Sequence, residues 1–278
     1  MPDTDAPHEA HDPLENWAPT GIDVTVPSIA RIYDFLLGGK DNFAVDRDVA
    51  SKLLTAAPGL DEAAVSHRAI LARGVRFLVE QGVRQFVDLG SGLPSAQNTH
   101  QVAQATAPDA RVVYVDNDPI VLAHGRALLA ENDRTTVITA DMREPEAVLA
   151  HPDLNRLVDM DRPVGLMLLG VIHHINDDED PSGLVKRYLD ALPSGSWLFL
   201  THFLSVGAES EALERVMQGS HKTGRFRTRD EIESYFAGLE LAEPGVVYLD
   251  LWRPDEPLDA DDLPQNRRLV LGGIARKA

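Results

Sequence analysis

The sequence predicts an α/β domain built on a doubly wound sheet, preceded by a cap of helices. Three observations predict it. From residue 84 to 201, short and nearly continuous apolar runs alternate with stretches of helical periodicity, the pattern of parallel strands covered on both faces. The first run passes into a glycine-rich turn, F-V-D-L-G-S-G at 86–92, with a helix start expected near Ser95. The chain has 278 residues, 44% hydrophobic and 25% charged, enough for one large domain with a small appendage.

Residues 1–26 read as a disordered acidic tail, rich in Asp, Pro and His. From Pro27 on, Ile29, Ile32, Tyr33, Leu36 and Leu37 share one helix face, and Gly38-Gly39 ends it. A polar turn leads into a second helix toward Leu54, broken by Pro58-Gly59. A third helix fits Glu62 to Gln81, with Asp61 as N-cap and Gly82 as stop. These helices make residues 27–82 a cap or lid, leaving 83–278 as the ligand-binding domain.

Strands are expected at 84–88, 111–115, 135–139, 164–169 and 196–201. The helices between and after them fall at 95–106, 119–131, 144–150, 181–192 and 208–218. Asp118 caps the second of these and Pro119 opens it. Thr228 and Glu231 form a capping-box pattern for a short helix to Phe236. V-V-Y-L-D-L-W and R-R-L-V-L-G-G-I-A-R read as two final strands.

The formal net charge is −18, from 44 acidic and 26 basic residues, which opposes a nucleic-acid partner. The absence of cysteine excludes disulfides, thiolate metal sites and cysteine nucleophiles. The first residues lack a basic start and an apolar run, and no stretch has the ~18–20 apolar residues of a membrane span. A cytoplasmic protein without membrane contact is expected.

In a doubly wound sheet, ligands sit beyond the carboxyl ends of the strands. The residues just after them are Asp88 to Gly92, then Asp116, Asn117 and Asp118, then Asp141 and Met142, then Gly170 to His174, and His202. Asp116 lies 24 positions beyond Gly92, where an acidic residue accepts both hydroxyls of a ribose. Asp118 is better placed to cap the next helix, which frees Asp116 for a ligand. Two details argue against a dinucleotide. Ser95 replaces the third glycine of G-x-G-x-x-G, and Asp88 stands where a carboxylate repels a pyrophosphate. A cationic, phosphate-free nucleotide ligand is favoured, and S-adenosylmethionine fits that description.

F-V-D-L-G-S-G, V-V-Y-V-D-N-D-P and I-T-A-D-M-R stand in the order and spacing of the class I S-adenosylmethionine-dependent methyltransferases, which the chain resembles over about residues 84–275. P-S-I-A-R-I-Y-D-F-L-L-G-G-K-D-N-F-A-V-D-R at 27–47, with V-V-Y-V-D-N-D-P-I-V-L-A-H at 112–124, resembles more narrowly a bacterial methyltransferase-like family of poorly defined substrate. The resemblance implies a Rossmann-like sheet in the order 3-2-1-4-5-7-6, strand 7 antiparallel. It implies that Gly90, Ser91 and Gly92 line the methionine part, with Asp88 near its ammonium and Gly170 close by. Asp116 would hold the ribose and Asn117 flank the adenine, with Asp141 and the Met142 backbone at its edge. Pro94 departs from the third glycine that many such enzymes carry.

Tyr33 and Asn42, in a segment dense in charge, read as a lid facing the methionine carboxylate or the acceptor, or as part of a salt-bridged surface turn. His173 and His174 are candidate general bases, or a polar loop. Asp177 to Asp180 read as solvated carboxylates and a helix cap, and no metal is expected. His202, His221, Trp252 and Arg253 are open candidates for the acceptor pocket. The expected function is methyl transfer from S-adenosylmethionine to a small molecule. The alternatives are a cofactor-binding sensor without transfer, or a nicotinamide oxidoreductase. Oligomeric state stays open.

Overall fold

The computed structural model describes residues 22–95, 97–128 and 132–278, so the expected tail lies outside the described residues as far as position 21. Strand β1 (Gln85–Leu89) sits mid-sheet with all five residues buried. It pairs in parallel with β2 (Arg111–Asp116), which pairs in parallel with β3 (Thr135–Thr139). On its other side it pairs in parallel with β4 (Gly165–Leu169), and β4 with β5 (Trp197–Phe203). Two short strands follow, β6 (Glu240–Leu241) and β7 (Val247–Tyr248). Both are antiparallel to β8 (Val270–Arg276), which is antiparallel to β5, with Trp197 opposite Arg276 and Phe203 opposite Val270.

The order is β3-β2-β1-β4-β5-β8-β6, with β7 also on β8. This is the expected Rossmann-like order with β8 as the seventh strand. The sixth is smaller than expected. Only Val247–Tyr248 of the 246–252 run pairs, and Leu249–Leu251 is a 3₁₀ turn. Trp252 then leaves the edge for the core, fully buried between Phe77 and Phe199.

Alternation along the strands divides the core. Phe86, Met167, Phe199 and Ile274 face α3 (Leu60–Glu80) and α4 (Thr99–Thr106). Val87, Leu166, Leu168, Leu198 and Leu200 face a second layer. That layer holds α7 (Pro152–Leu157), α8 (Pro181–Ala191) and α10 (Arg229–Ser234). Close approach of α3 depends on Gly74, where a Cβ would fall 2.3 Å from the Phe199 ring. Helix α3 is therefore a layer of the sheet. The two helices before it, α1 (Ile29–Leu36) and α2 (Ala44–Ala56), border the cavity described below, and α2 packs against α9 (Ala208–His221).

Helix boundaries follow capping chemistry. Ile120 N–H donates to Asp118 Oδ1 (3.0 Å) at the start of α5 (Pro119–Leu128), and residues 129–131 lie outside the described residues. Thr228 and Glu231 make the expected box, at 2.7 and 3.3 Å. Two expectations need correction, and one further helix was not expected. Helix α4 starts at Thr99 rather than near Ser95, because Asn98 Oδ1 takes the Ser95 amide and Gln101 Oε1 takes the Asn98 amide. Helix α3 starts at Leu60 from Gly59, which puts Asp61 in the first turn. Pro152 begins α7 after the short α6 (Pro145–Leu149), since proline suits the first helical position. No helix among the described residues is long and apolar enough to cross a membrane.

Candidate functional site

A cavity of about 770 Å³ opens at the carboxyl ends of β1, β2, β4 and β5, under α1 and the first turns of α3. Its position follows from sheet order. β2 and β4 flank β1 and their crossovers leave in opposite directions, so the strand ends between them are uncovered.

Asp88 lies at the end of β1, 5% exposed, and accepts a hydrogen bond from Thr99 Oγ1 (2.7 Å). Burial pushes its carboxyl up to about 6, against the pull of Thr99 and the Arg68 charge. The turn after it is tied to β2, since Gly90 N–H and Ser91 N–H both donate to the Val115 carbonyl, at 2.7 and 3.2 Å. Gly90 has φ +65°, and a Cβ there would meet Val171 at 2.4 Å, so only glycine fits. The Ser91 hydroxyl is buried without a partner among the described residues.

Asp116 ends β2. Its Oδ2 accepts from Gly92 N–H (2.8 Å) and its Oδ1 from Asp118 N–H (2.9 Å). Burial raises its pKa, and the backbone donors oppose that shift. Each oxygen keeps a lone pair for another donor. Asn117 and Met142 border the same space, and the Met142 carbonyl takes the Tyr188 hydroxyl (2.9 Å). Gly170, after β4, donates its N–H to Thr201 Oγ1 (2.8 Å).

His173 and His174 follow on a 3₁₀ turn and both border the cavity. His173 is 2% exposed and its side chain makes no hydrogen bond among the described residues; its ring packs against His174 and Phe203. His174 Nδ1 lies 3.0 Å from Thr223 Oγ1. Burial holds His174 at about 3 and His173 well below its ordinary value, with neighbouring imidazoles adding to both shifts.

Tyr33 reaches the cavity from α1. Its hydroxyl donates to the Ala64 carbonyl (3.3 Å) and lies 3.2 Å from His67 Nδ1. His67 Nε2 lies 2.7 Å from Thr201 Oγ1, so a hydrogen-bonded chain runs from α1 to Gly170. Burial raises Tyr33 to about 12 and lowers His67 to about 4.

Two expected contacts stand apart from the cavity wall. Asn42 is a strut of the turn before α2, donating to Asp34 Oδ2 (2.9 Å) and the Gly39 carbonyl (3.1 Å). Asp141 is turned to Arg143, accepting from its amide (2.9 Å) and guanidinium (3.4 Å). In the charged segment Arg31 and Asp46 form a buried ion pair (2.7 Å), and Tyr33 borders the cavity. Of the open candidates, His221 borders the cavity. His202 instead meets Arg227 (3.1 Å) and Trp252 belongs to the core. The acidic run is engaged elsewhere: Asp177 with Arg225 and Arg227, Glu179 with Arg143, Asp180 capping α8.

Sequence reasoning passed over His67, Arg68 and Thr223, which also line the cavity. Ser66-His67-Arg68 interrupts an otherwise apolar stretch of α3, and that interruption is the signal available.

Comparison with known proteins bears on this geometry. Residues 15–278 match the model of a family described as S-adenosyl methyltransferase. A candidate methyltransferase from Thermobifida fusca YX is 52% identical, with 94% of this chain and 99% of that one covered and a TM-score of 0.91. A DUF574 family protein from Streptomyces avermitilis MA-4680 is 38% identical, covering 92% and 99%, with a TM-score of 0.87. An O-methyltransferase family protein from Burkholderia thailandensis, at 13% identity, covers 83% and 60% with a TM-score of 0.52, a likeness of fold alone. Among proteins of curated function, none matches the chain.

Proposed function

This chain belongs to the S-adenosyl methyltransferase family, and from that premise we propose that it transfers a methyl group from S-adenosylmethionine to a small molecule. The observation that carries the reading is the buried carboxylate of Asp88 beside the Gly90–Gly92 turn. A phosphate would be repelled there, whereas an ammonium suits it. The donor set fits the cofactor further along. Asp116 has lone pairs to spare for a ribose diol, and a Cβ at Gly92 would meet nothing within 4 Å, which leaves room at the turn.

When bound, S-adenosylmethionine supplies an electrophilic methyl group on a sulfonium. The roles of this chain's residues follow from their surroundings. Asp88 faces the ammonium, and Arg68, whose charge acts on Asp88, suits the carboxylate of the same amino-acid end. Gly90, Ser91, Gly92 and Gly170 approach the methionine part. Asp116 orients the ribose, with Asn117 and Met142 beside the base. Tyr33 closes the space from α1. His173 and His174, neutral at physiological pH, accept a hydrogen bond from the acceptor. Imidazoles so reluctant to hold a proton are weak bases, so their part is orientation, with proton uptake late in transfer.

Calorimetry with S-adenosylmethionine, its demethylated product and NAD, followed by transfer of labelled methyl into a metabolite extract, tests the reading. Binding of the first two without NAD, and label in a small-molecule fraction, is the expected result. Asp116→Ala should weaken binding by about 1–3 kcal/mol. Binding without label in any fraction would make this a cofactor-binding protein instead, and tight NAD binding alone would overturn the assignment.

A further inference from the structure

Past the cofactor end, the cavity continues between α1, α3 and α9 above the ends of β4 and β5. Its wall there is apolar, with Leu36, Leu53, Leu60, Phe203 and Met217 among its members. Set into this wall are the polar groups of Tyr33, His67, His173, His174, His221 and Thr223, none of them a carboxylate or an ammonium. The carboxylates that border the cavity are Asp23, Asp88, Asp116 and Asp118. They come from the β1 and β2 ends and from the segment before α1. Among the described residues no lysine borders it.

The bordering arginines are engaged. Arg31 binds Asp46 (2.7 Å) and Arg143 binds Glu179 (2.7 Å), while Arg68 donates to the Gln97 carbonyl (2.9 Å) and in the reading above its charge is taken by the carboxylate of the cofactor's amino-acid end. Burial keeps the four imidazoles neutral, with His67 at about 4, His174 at about 3, and His173 and His221 also lowered. A charged acceptor would therefore lose its hydration without gaining a counter-ion.

Two buried imidazole nitrogens in the residues that border the cavity lack partners among the described residues: Nδ1 of His173, which is 2% exposed, and Nε2 of His221. Groups of this kind are normally satisfied, and since both residues border the cavity, a ligand's polar group is a partner that a small ring movement would bring within reach. An apolar body bearing one donor would suit the apolar wall and one of these rings together.

We infer that the acceptor is an uncharged, predominantly apolar ring compound whose hydroxyl or N–H is received by His173, with His221 as the neighbouring polar contact. This rests on the methyltransferase reading above. An oxygen or nitrogen lone pair forms the new bond to the methyl carbon. The carbon–sulfur pair stays on sulfur, and the displaced proton leaves by way of His173 to solvent.

The test uses the full chain loaded with S-adenosylhomocysteine and three naphthalene probes of similar shape: 2-naphthol, 2-naphthoate and 2-naphthylmethylammonium. Fluorescence titration should find 2-naphthol bound at least about tenfold more tightly than either charged probe. His173→Phe should weaken 2-naphthol about tenfold while leaving the S-adenosylhomocysteine affinity unchanged. If that variant does not bind S-adenosylhomocysteine, His221→Phe takes its place under the same criterion. A charged probe binding as tightly as 2-naphthol overturns the inference. So does an unchanged 2-naphthol affinity in the folded variant, or no binding by any probe. Failure of the unaltered chain to bind S-adenosylhomocysteine would instead overturn the methyltransferase reading itself.

Discussion

Asp88 carries a carboxylate into the interior with one hydroxyl, from Thr99, as its hydrogen-bond donor. Its pKa rises from the ordinary 3.8 to about 6 because burial disfavours the charged form. The folded chain therefore holds a proton, between about pH 4 and 6, that the unfolded chain has lost. The associated stability is fully present below about pH 4 and is lost as pH rises through about 6. Two pKa units correspond to about 3 kcal/mol. Asp88→Asn keeps an acceptor for Thr99 and removes the charge. It should raise the Tm of the ligand-free chain at pH 8 and leave it nearly unchanged at pH 4. Cofactor affinity should fall by about 1.5–3 kcal/mol at pH 8. A Tm gain of equal size at both pH values would contradict the buried-carboxylate account. The site is thus destabilising when empty, which is why an acid at this position reads as functional. The residue types and strand-end positions were legible in the sequence. That Asn42 is a strut and Asp141 is paired with Arg143 was not, because side-chain direction depends on neighbours that the sequence does not place.

Among elements, the segment from Ser28 to Arg47 is organised by Asp46, fully buried at the start of α2. Asp46 accepts from Ser28 N–H (2.9 Å), Phe43 N–H (2.8 Å) and Arg31 Nε (2.7 Å), which locks α1 to α2. Arg31 is 2% exposed, so removing its partner leaves a buried charge alone. Asp46→Ala should cost about 3–5 kcal/mol, and limited proteolysis should then cut first between α1 and α2. Unchanged resistance to protease in that segment would show that Asp46 does not hold it. Helix existence was legible except at the six-residue α7, since periodicity and caps are local signals and so short a helix carries little of either. Boundaries failed where two capping residues competed, as at Ser95 and Asn98. The edge strands β6 and β7 span two residues each, too short to carry any periodicity.

For the whole molecule, the cavity is a product of sheet order. Tyr33, His67, Thr201 and Gly170 form one hydrogen-bonded chain, although Tyr33 and Thr201 are 168 positions apart. A ligand bridging the sheet and α1 should therefore stabilise the fold as a unit. S-adenosylhomocysteine at 100 times its Kd adds about 2.7 kcal/mol. For a chain of this size that raises Tm by about 5–10 °C. NAD at the same concentration should leave it unchanged, and a rise with NAD alone would contradict the cofactor assignment.

By itself, the sequence determined the alternation of strands and helices, the glycine turn with the acid just before it, and a chain lacking cysteine chemistry. Each is a local matter of periodicity, backbone freedom or side-chain charge, complete within a few residues. Tertiary structure alone decided that Tyr33 faces inward while Asn42 faces Asp34. It also decided that His67 and Arg68 line the cavity from α3, and that uncharged imidazoles line its apolar part. Burial and partnership are properties of packed surfaces, and those surfaces form only once distant segments meet across the sheet.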